Sequence, residues 1–130
     1  MIQVINMPSI QVSFYDLPDE TLPAADFIAS LPPKLQAKTL RTVQLLEQNG
    51  ASLRAPYSKH LDDGIFELRT QMSGNITRVL YFFFIGGRAI LTNGFVKKTN
   101  KTPPEEIQKA KDYRAEFLSR KENQDEQEKN

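Results

Sequence analysis

The sequence predicts an α+β domain with the element order β-α-α-β-β-β-α, an antiparallel sheet carrying an N-terminal helical hairpin and a C-terminal helix. Two patterns carry this prediction. Three apolar runs, at residues 65–68, 76–85 and 89–96, are separated by the turn residues Ser73-Gly74-Asn75 and Gly86-Gly87. A Gly-Gly pair between β-rich runs signals a tight hairpin, so the runs read as three consecutive antiparallel strands. Helical periodicity lies before and after this block, not between its strands. Such segregation predicts helices gathered on one face of the sheet.

Taken in order, residues 10–17 open the fold as a strand. Ile10, Val12 and Phe14 share one face, and Gln11, Ser13 and Tyr15 the other. Residues 23–31 form a short helix: Pro23 suits its first position, and Ala24, Phe27, Ile28 and Leu31 make an i, i+3, i+4, i+7 stripe. Pro32-Pro33 ends it. A second helix runs from about residue 33 to 49, with Leu35, Leu40, Val43 and Leu46 near one face and Gly50 as its C-terminal cap. Residues 51–60 form a loop around Pro56 and Tyr57. The strands follow, and the run Tyr81, Phe82, Phe83, Phe84, Ile85 reads as a central strand buried on both sides. After them, Thr102-Pro103-Pro104-Glu105 fits a capping box that opens the last helix, with Ile107, Ala110, Tyr113 or Arg114, Phe117 and Leu118 inward. Residues 119–130 carry no apolar side chain and read as a disordered, charged tail. The domain is therefore expected at residues 1–118. Met7 is a candidate alternative start.

Composition narrows the function. A chain of 130 residues, 39% hydrophobic and 25% charged, suits one soluble domain. It has no cysteine and one histidine, which argues against a disulfide framework, a thiol nucleophile and a zinc site. No apolar run approaches the roughly 18 residues of a membrane span, and no secretion signal opens the chain, so a cytoplasmic protein is expected. The net charge is only +1, yet it is unevenly spread. Residues 52–101 hold eight Lys/Arg against three Asp/Glu, while the flanking segments are each net acidic. Positive charge gathered on the sheet points to an anionic partner.

Several local strings, in this order, resemble the RelE/ParE toxin superfamily of type II toxin–antitoxin systems, and within it the HigB-like, phage-derived branch. They are Pro56-Tyr57-Ser58-Lys59-His60-Leu61, Gly64-Ile65-Phe66-Glu67-Leu68-Arg69, Arg78-Val79-Leu80-Tyr81-Phe82, and Gly94-Phe95-Val96-Lys97-Lys98-Thr99 followed by Lys101-Thr102-Pro103. The resemblance spans about residues 14–117. It implies a RelE-like fold and a ribosome-dependent endoribonuclease, or mRNA interferase, that inhibits translation. It implies no metal and no cofactor, because the substrate 2′-hydroxyl attacks the scissile phosphate. It also implies a cognate antitoxin of helix-turn-helix type, through which a toxin–antitoxin complex would contact operator DNA. Two other readings share the fold: a ParE-like, non-enzymatic gyrase inhibitor, and an inactive relative that only binds antitoxin.

That chemistry needs a group to take the hydroxyl proton, cations to stabilise the phosphorane, and an acid for the 5′-oxygen. Arg78 and Arg69 are the first candidates, because each places a planar, permanently charged fork in an apolar strand. Pairing with Glu67, two residues from Arg69 on the same face, is the plainer reading of that arginine. The resemblance matches Arg78 to a functional arginine. His60 can exchange a proton near neutral pH, with Lys59 beside it, although a lone histidine is commonly structural. Lys97 and Lys98 end the last strand, and alternation lets at most one of them face a shared site. Tyr57 and Lys101 are candidate RNA contacts, Tyr57 by stacking. Better-known superfamily members act through a Tyr or His near the C-terminus. Here Tyr113 is the nearest candidate, in a stripe that suggests burial.

Overall fold

The structure, a computed structural model, describes residues 9–129; Met7 and the start of the chain lie outside them. The elements are β1 (Gln11–Phe14), α1 (Pro23–Ala29), α2 (Pro33–Asn49), β2 (Ser58–Asp62), β3 (Ile65–Met72), β4 (Asn75–Phe84), β5 (Arg88–Val96) and α3 (Pro104–Lys129). The α+β class and the predicted elements are present, with one strand more. β2 lies within and just after the segment expected to be a loop. Its residues, Ser-Lys-His-Leu-Asp, are too polar to announce a strand. The signal that could have found it is the Asp63-Gly64 pair, a two-residue hairpin turn in which both residues have positive φ.

The five strands form one sheet in the order β1-β5-β4-β3-β2. β2 to β5 are an antiparallel meander, but β1 pairs with β5 in parallel, so the sheet is mixed rather than wholly antiparallel. β5 has an edge left free by the meander, and β1 occupies it. Helices also cover both faces, not one. Ala24 and Ile28 of α1 and Val43 and Leu46 of α2 pack on Leu68, Val79, Tyr81 and Leu91. Ala110 and Phe117 of α3 pack on Ile65, Leu80, Phe82 and Ile90. The cause is β4 itself: consecutive apolar residues from Val79 to Phe82 are buried on alternate sides, and both sides need cover.

α2 has the expected bounds, and Gly50 caps it at φ 56°. Its inner stripe differs. Leu40 is 42% exposed, while Thr39 and Thr42 are buried. The inward threonines meet Thr77 and Thr70 of the sheet through hydroxyl contacts of 3.4 and 3.0 Å. The capping box is not formed, since α3 begins at Pro104 and the Thr102 hydroxyl is used elsewhere. α3 also continues to Lys129, through the stretch expected to be a disordered tail. Lys, Glu and Gln there are good helix formers, and Arg120 ties this part to Asp16 and Glu116.

Candidate functional site

Arg69 of β3 and Arg78 of β4 are direct cross-strand partners and therefore share a face. Two like charges so placed repel. Glu67, one strand step from Arg69 on the same side, answers both. Its Oε2 accepts a 2.8 Å hydrogen bond from Arg69 Nε, and its Oε1 lies 3.5 Å from Arg78 Nε. Thr102, just ahead of α3, donates to Oε1 at 2.5 Å. The plainer reading of Arg69, as a partner of Glu67, is thus what the structure contains, and Arg78 joins it. Burial alone would raise the Glu67 pKa. The hydrogen bonds from Thr102 and Arg69 and the charges of Arg78 and Arg69 outweigh it, holding the carboxyl below its ordinary value. Glu67 is therefore ionised at neutral pH.

The remaining cations come from the other segments. Lys59 of β2 pairs with Glu67 across the strands, so it lies on the same face. Lys97 continues the β5 ladder through its N–H to the Ile76 carbonyl, 2.8 Å. Phe95 is the partner of Arg78, and Lys97, two residues on, returns to that face. A hollow of about 230 Å³ is bordered by Lys59, His60, Glu67, Arg69, Lys97, Lys101 and Thr102, with Glu67 the one carboxylate among its lining residues. Burial lowers the Lys97 pKa. The charges of Arg78, Arg69 and Lys59 push the same way, against Glu67. The cations lining this hollow outnumber its one acid, so it carries a positive potential.

A second hollow, of about 360 Å³, opens where β3 runs on past the start of β2. Lys38, Thr42, Tyr57, Arg69, Thr70, Gln71 and Arg78 line it. Arg69 walls both hollows. Arg78 is only 8% exposed, with a 3.0 Å bond from Nη1 to the Thr77 carbonyl and no hydrogen bond at Nε. Its charge reaches the site more than its surface does.

The structure thus brings Lys59, Arg69, Arg78, Lys97 and Lys101 around one carboxylate, with Tyr57 beside them. Lys98 is exposed and lines neither hollow, as strand alternation requires. His60 borders the first hollow, but its cross-strand partner is Phe66, on the opposite face from Glu67. Its ring stands edge-on to Phe66 at 5.1 Å, and Nε2 accepts from the Gly64 N–H at 3.2 Å. The segment is a strand rather than a loop, so Lys59 and His60 must point to opposite sides. Tyr113 stacks on Tyr15 at 4.8 Å, within the α3 core. Sequence reasoning missed Lys38 and Thr102, whose roles depend on contacts across the fold. Among the described residues, no group of three or more His, Cys, Asp or Glu side chains stands together to hold a metal ion.

Residues 26–115, well over half of the chain and inclusive of every string above, match the family described as phage derived protein Gp49-like (DUF891). The chain belongs to this Gp49-like family. The Gp49-like family is of RelE- and HigB-like toxin type. Comparison with curated proteins gave no match. For this Gp49-like chain, no helix among the described residues is long and apolar enough to cross a membrane.

Proposed function

We propose that this Gp49-like protein is the toxin of a type II toxin–antitoxin pair and acts in the cytoplasm as a ribosome-dependent endoribonuclease. One observation carries the reading: cationic side chains from β2, β3, β4 and the end of β5 surround a single buried carboxylate beside an open hollow. A phosphodiester in that hollow meets the Arg69 guanidinium and the Lys59, Lys97 and Lys101 ammonium groups. Arg78, behind them, offsets the charge of Glu67 and so leaves theirs for the phosphate. These groups stabilise the negative charge that builds on the phosphorane as the substrate 2′-oxygen attacks. The 2′-hydroxyl gives its proton to a water molecule as its oxygen bonds to phosphorus, the bond to the 5′-oxygen breaks, and that oxygen takes up a proton. The strand is left with a 2′,3′-cyclic phosphate and a 5′-hydroxyl. Lys97 is our choice for the proton at the 5′-oxygen, since its surroundings favour release. No metal enters the scheme. The partners are mRNA on the ribosome and a cognate helix-turn-helix antitoxin, which carries any contact with operator DNA.

A second reading, an inactive antitoxin-binding relative, is favoured by one finding. The phenol of Tyr113 is stacked on Tyr15 away from the cationic hollow, and the imidazole of His60, at its border, is engaged by Phe66 and the Gly64 N–H. Growth on induction separates the two. Arrest that is lost in Arg69→Ala supports the nuclease, and unimpaired growth with the native chain supports the binder.

A further inference from the structure

We infer that the larger hollow, at the open edge of β3, is a nucleobase subsite for an unpaired base of the RNA strand. The inference deepens the nuclease reading and rests on it for the identity of the ligand. Its volume, about 360 Å³, falls in the usual range for small-molecule pockets, roughly 300–1,000 Å³.

Tyr57 gives the first argument. Its side chain is 44% exposed, yet its backbone is fixed at both ends: its N–H donates to the Arg54 carbonyl at 3.0 Å, and its carbonyl accepts from the Arg69 N–H at 2.7 Å. It belongs to neither hydrophobic cluster. An uncovered aromatic ring carried on a fixed backbone at the rim of a hollow is a stacking platform for a base.

The floor gives the second. The Thr70 hydroxyl donates to Thr42 Oγ1 at 3.0 Å, and the Thr42 hydroxyl donates to the Lys38 carbonyl at 3.1 Å. Both protons are spent, so these oxygens meet a ligand as acceptors. That acceptor floor suits the N–H groups of a base edge, while the cations Lys38, Arg69 and Arg78 on the same lining can hold the phosphate next to it. Gln71, also lining the hollow, offers one amide donor pair and one acceptor. Both hollows are cationic, but only the larger one sets an exposed aromatic ring and hydroxyl acceptors beside its cations Lys38, Arg69 and Arg78. Arg69 is common to both, so a phosphate on its guanidinium has its own nucleoside at the mouth of the larger one.

The test is calorimetric titration of the full chain with adenosine 3′-monophosphate, uridine 3′-monophosphate and ribose 5-phosphate. We expect at least one nucleotide to bind about tenfold more tightly than the sugar phosphate, as base–aromatic stacking allows. Tyr57→Ala should erase that margin without changing the affinity for ribose 5-phosphate, Tyr57→Phe should keep it, and Gln71→Ala should narrow it. Both positions are exposed, so the fold should survive the changes. Equal affinities for nucleotides and ribose 5-phosphate, or a Tyr57→Ala protein with its margin intact, overturn the base subsite and leave the phosphate hollow standing. Failure of all three ligands to bind overturns the phosphate hollow as well.

Discussion

Glu67 Oε1 stands 3.5 Å from Arg78 Nε on the neighbouring strand, and the carboxylate is only 1% exposed. This contact allows two arginines to sit directly opposite one another inside a sheet. Each would otherwise face a like charge, and Arg78 would be a buried guanidinium without an anion nearby. The same carboxylate takes the Thr102 hydroxyl, and so links the site to the start of α3.

Removing its charge should be costly. Glu67→Gln keeps the shape but leaves Arg69 and Arg78 unneutralised, and breaking a buried pair typically costs about 3–5 kcal/mol. The pH dependence has a definite direction. The folded-state pKa of Glu67 is below the ordinary 4.5, so its contribution is complete above that value and is lost as pH falls through the folded-state pKa. Urea unfolding at a series of pH values should show the native protein weakening on the acid side. Glu67→Gln should be less stable at neutral pH and flatter below pH 4.5. An equally steep acid limb in the variant would assign the acid sensitivity to other carboxyls.

Gly94 is fixed by packing rather than by its own φ. A Cβ there would stand 2.3 Å from Phe27 Cδ2 and 2.9 Å from two more ring atoms. α1 lies against β5 through this contact. Gly94→Ala should destabilise by about 1–3 kcal/mol, as overpacking does. Adding Phe27→Leu should recover part of that loss, so a double-mutant cycle should be non-additive. Additive losses would place the strain elsewhere.

Much of this was readable in the chain. The bounds of α2, its Gly50 cap and the two-sided burial of β4 from Val79 to Phe82 follow from periodicity, turn residues and an apolar run, but Phe83 and Phe84 are only half-buried and Ile85, past the strand, is 82% exposed. That run needs cover on both faces, whereas the segregation of helices from strands had predicted helices on one face only. β2 was hidden because an edge strand can be polar, and only Asp63-Gly64 marked it. The Thr102 hydroxyl was assigned to the helix end next to it, when a buried acid 35 positions earlier accepts its hydrogen bond. Local rules cannot see such a partner. Arg69 and Arg78 stood out in the sequence, since charge in an apolar strand needs a reason, while Lys98, named with them, lines neither hollow. The sides of the site residues were legible only once strand and loop were told apart, which is why His60 and Lys59 read as a pair although the sheet separates them.

Lys97 and Lys98 provide an internal control. Lys97 lines the cationic hollow and its pKa is lowered, while Lys98 is exposed outside it. Lys97→Arg should keep the charge but hold its proton too firmly. Cleavage on programmed ribosomes should then fall by about 10²–10⁴, the usual worth of a positioned acid, with Lys98→Ala near the native rate. Equal losses in the two would remove Lys97 from the proton step.

Lys59 and Lys101 should act through charge alone. In titrations of single-stranded RNA against salt, each Ala substitution should lower the slope of log K against log salt by about 0.7, one phosphate contact. A weaker affinity with an unchanged slope would argue for a different contact.

The central claim is that the cations around Glu67 cut translated RNA, and mapping RNA 5′ ends in translating cells tests it most directly. Arg69→Ala is the better probe, because Arg78 is buried and its loss would also disturb the core. With the native chain, new ends should accumulate inside translated reading frames, and Arg69→Ala, still folded, should reduce them by about 10²–10³. Native-chain ends no more abundant than background, or an undiminished pattern in Arg69→Ala, would contradict it.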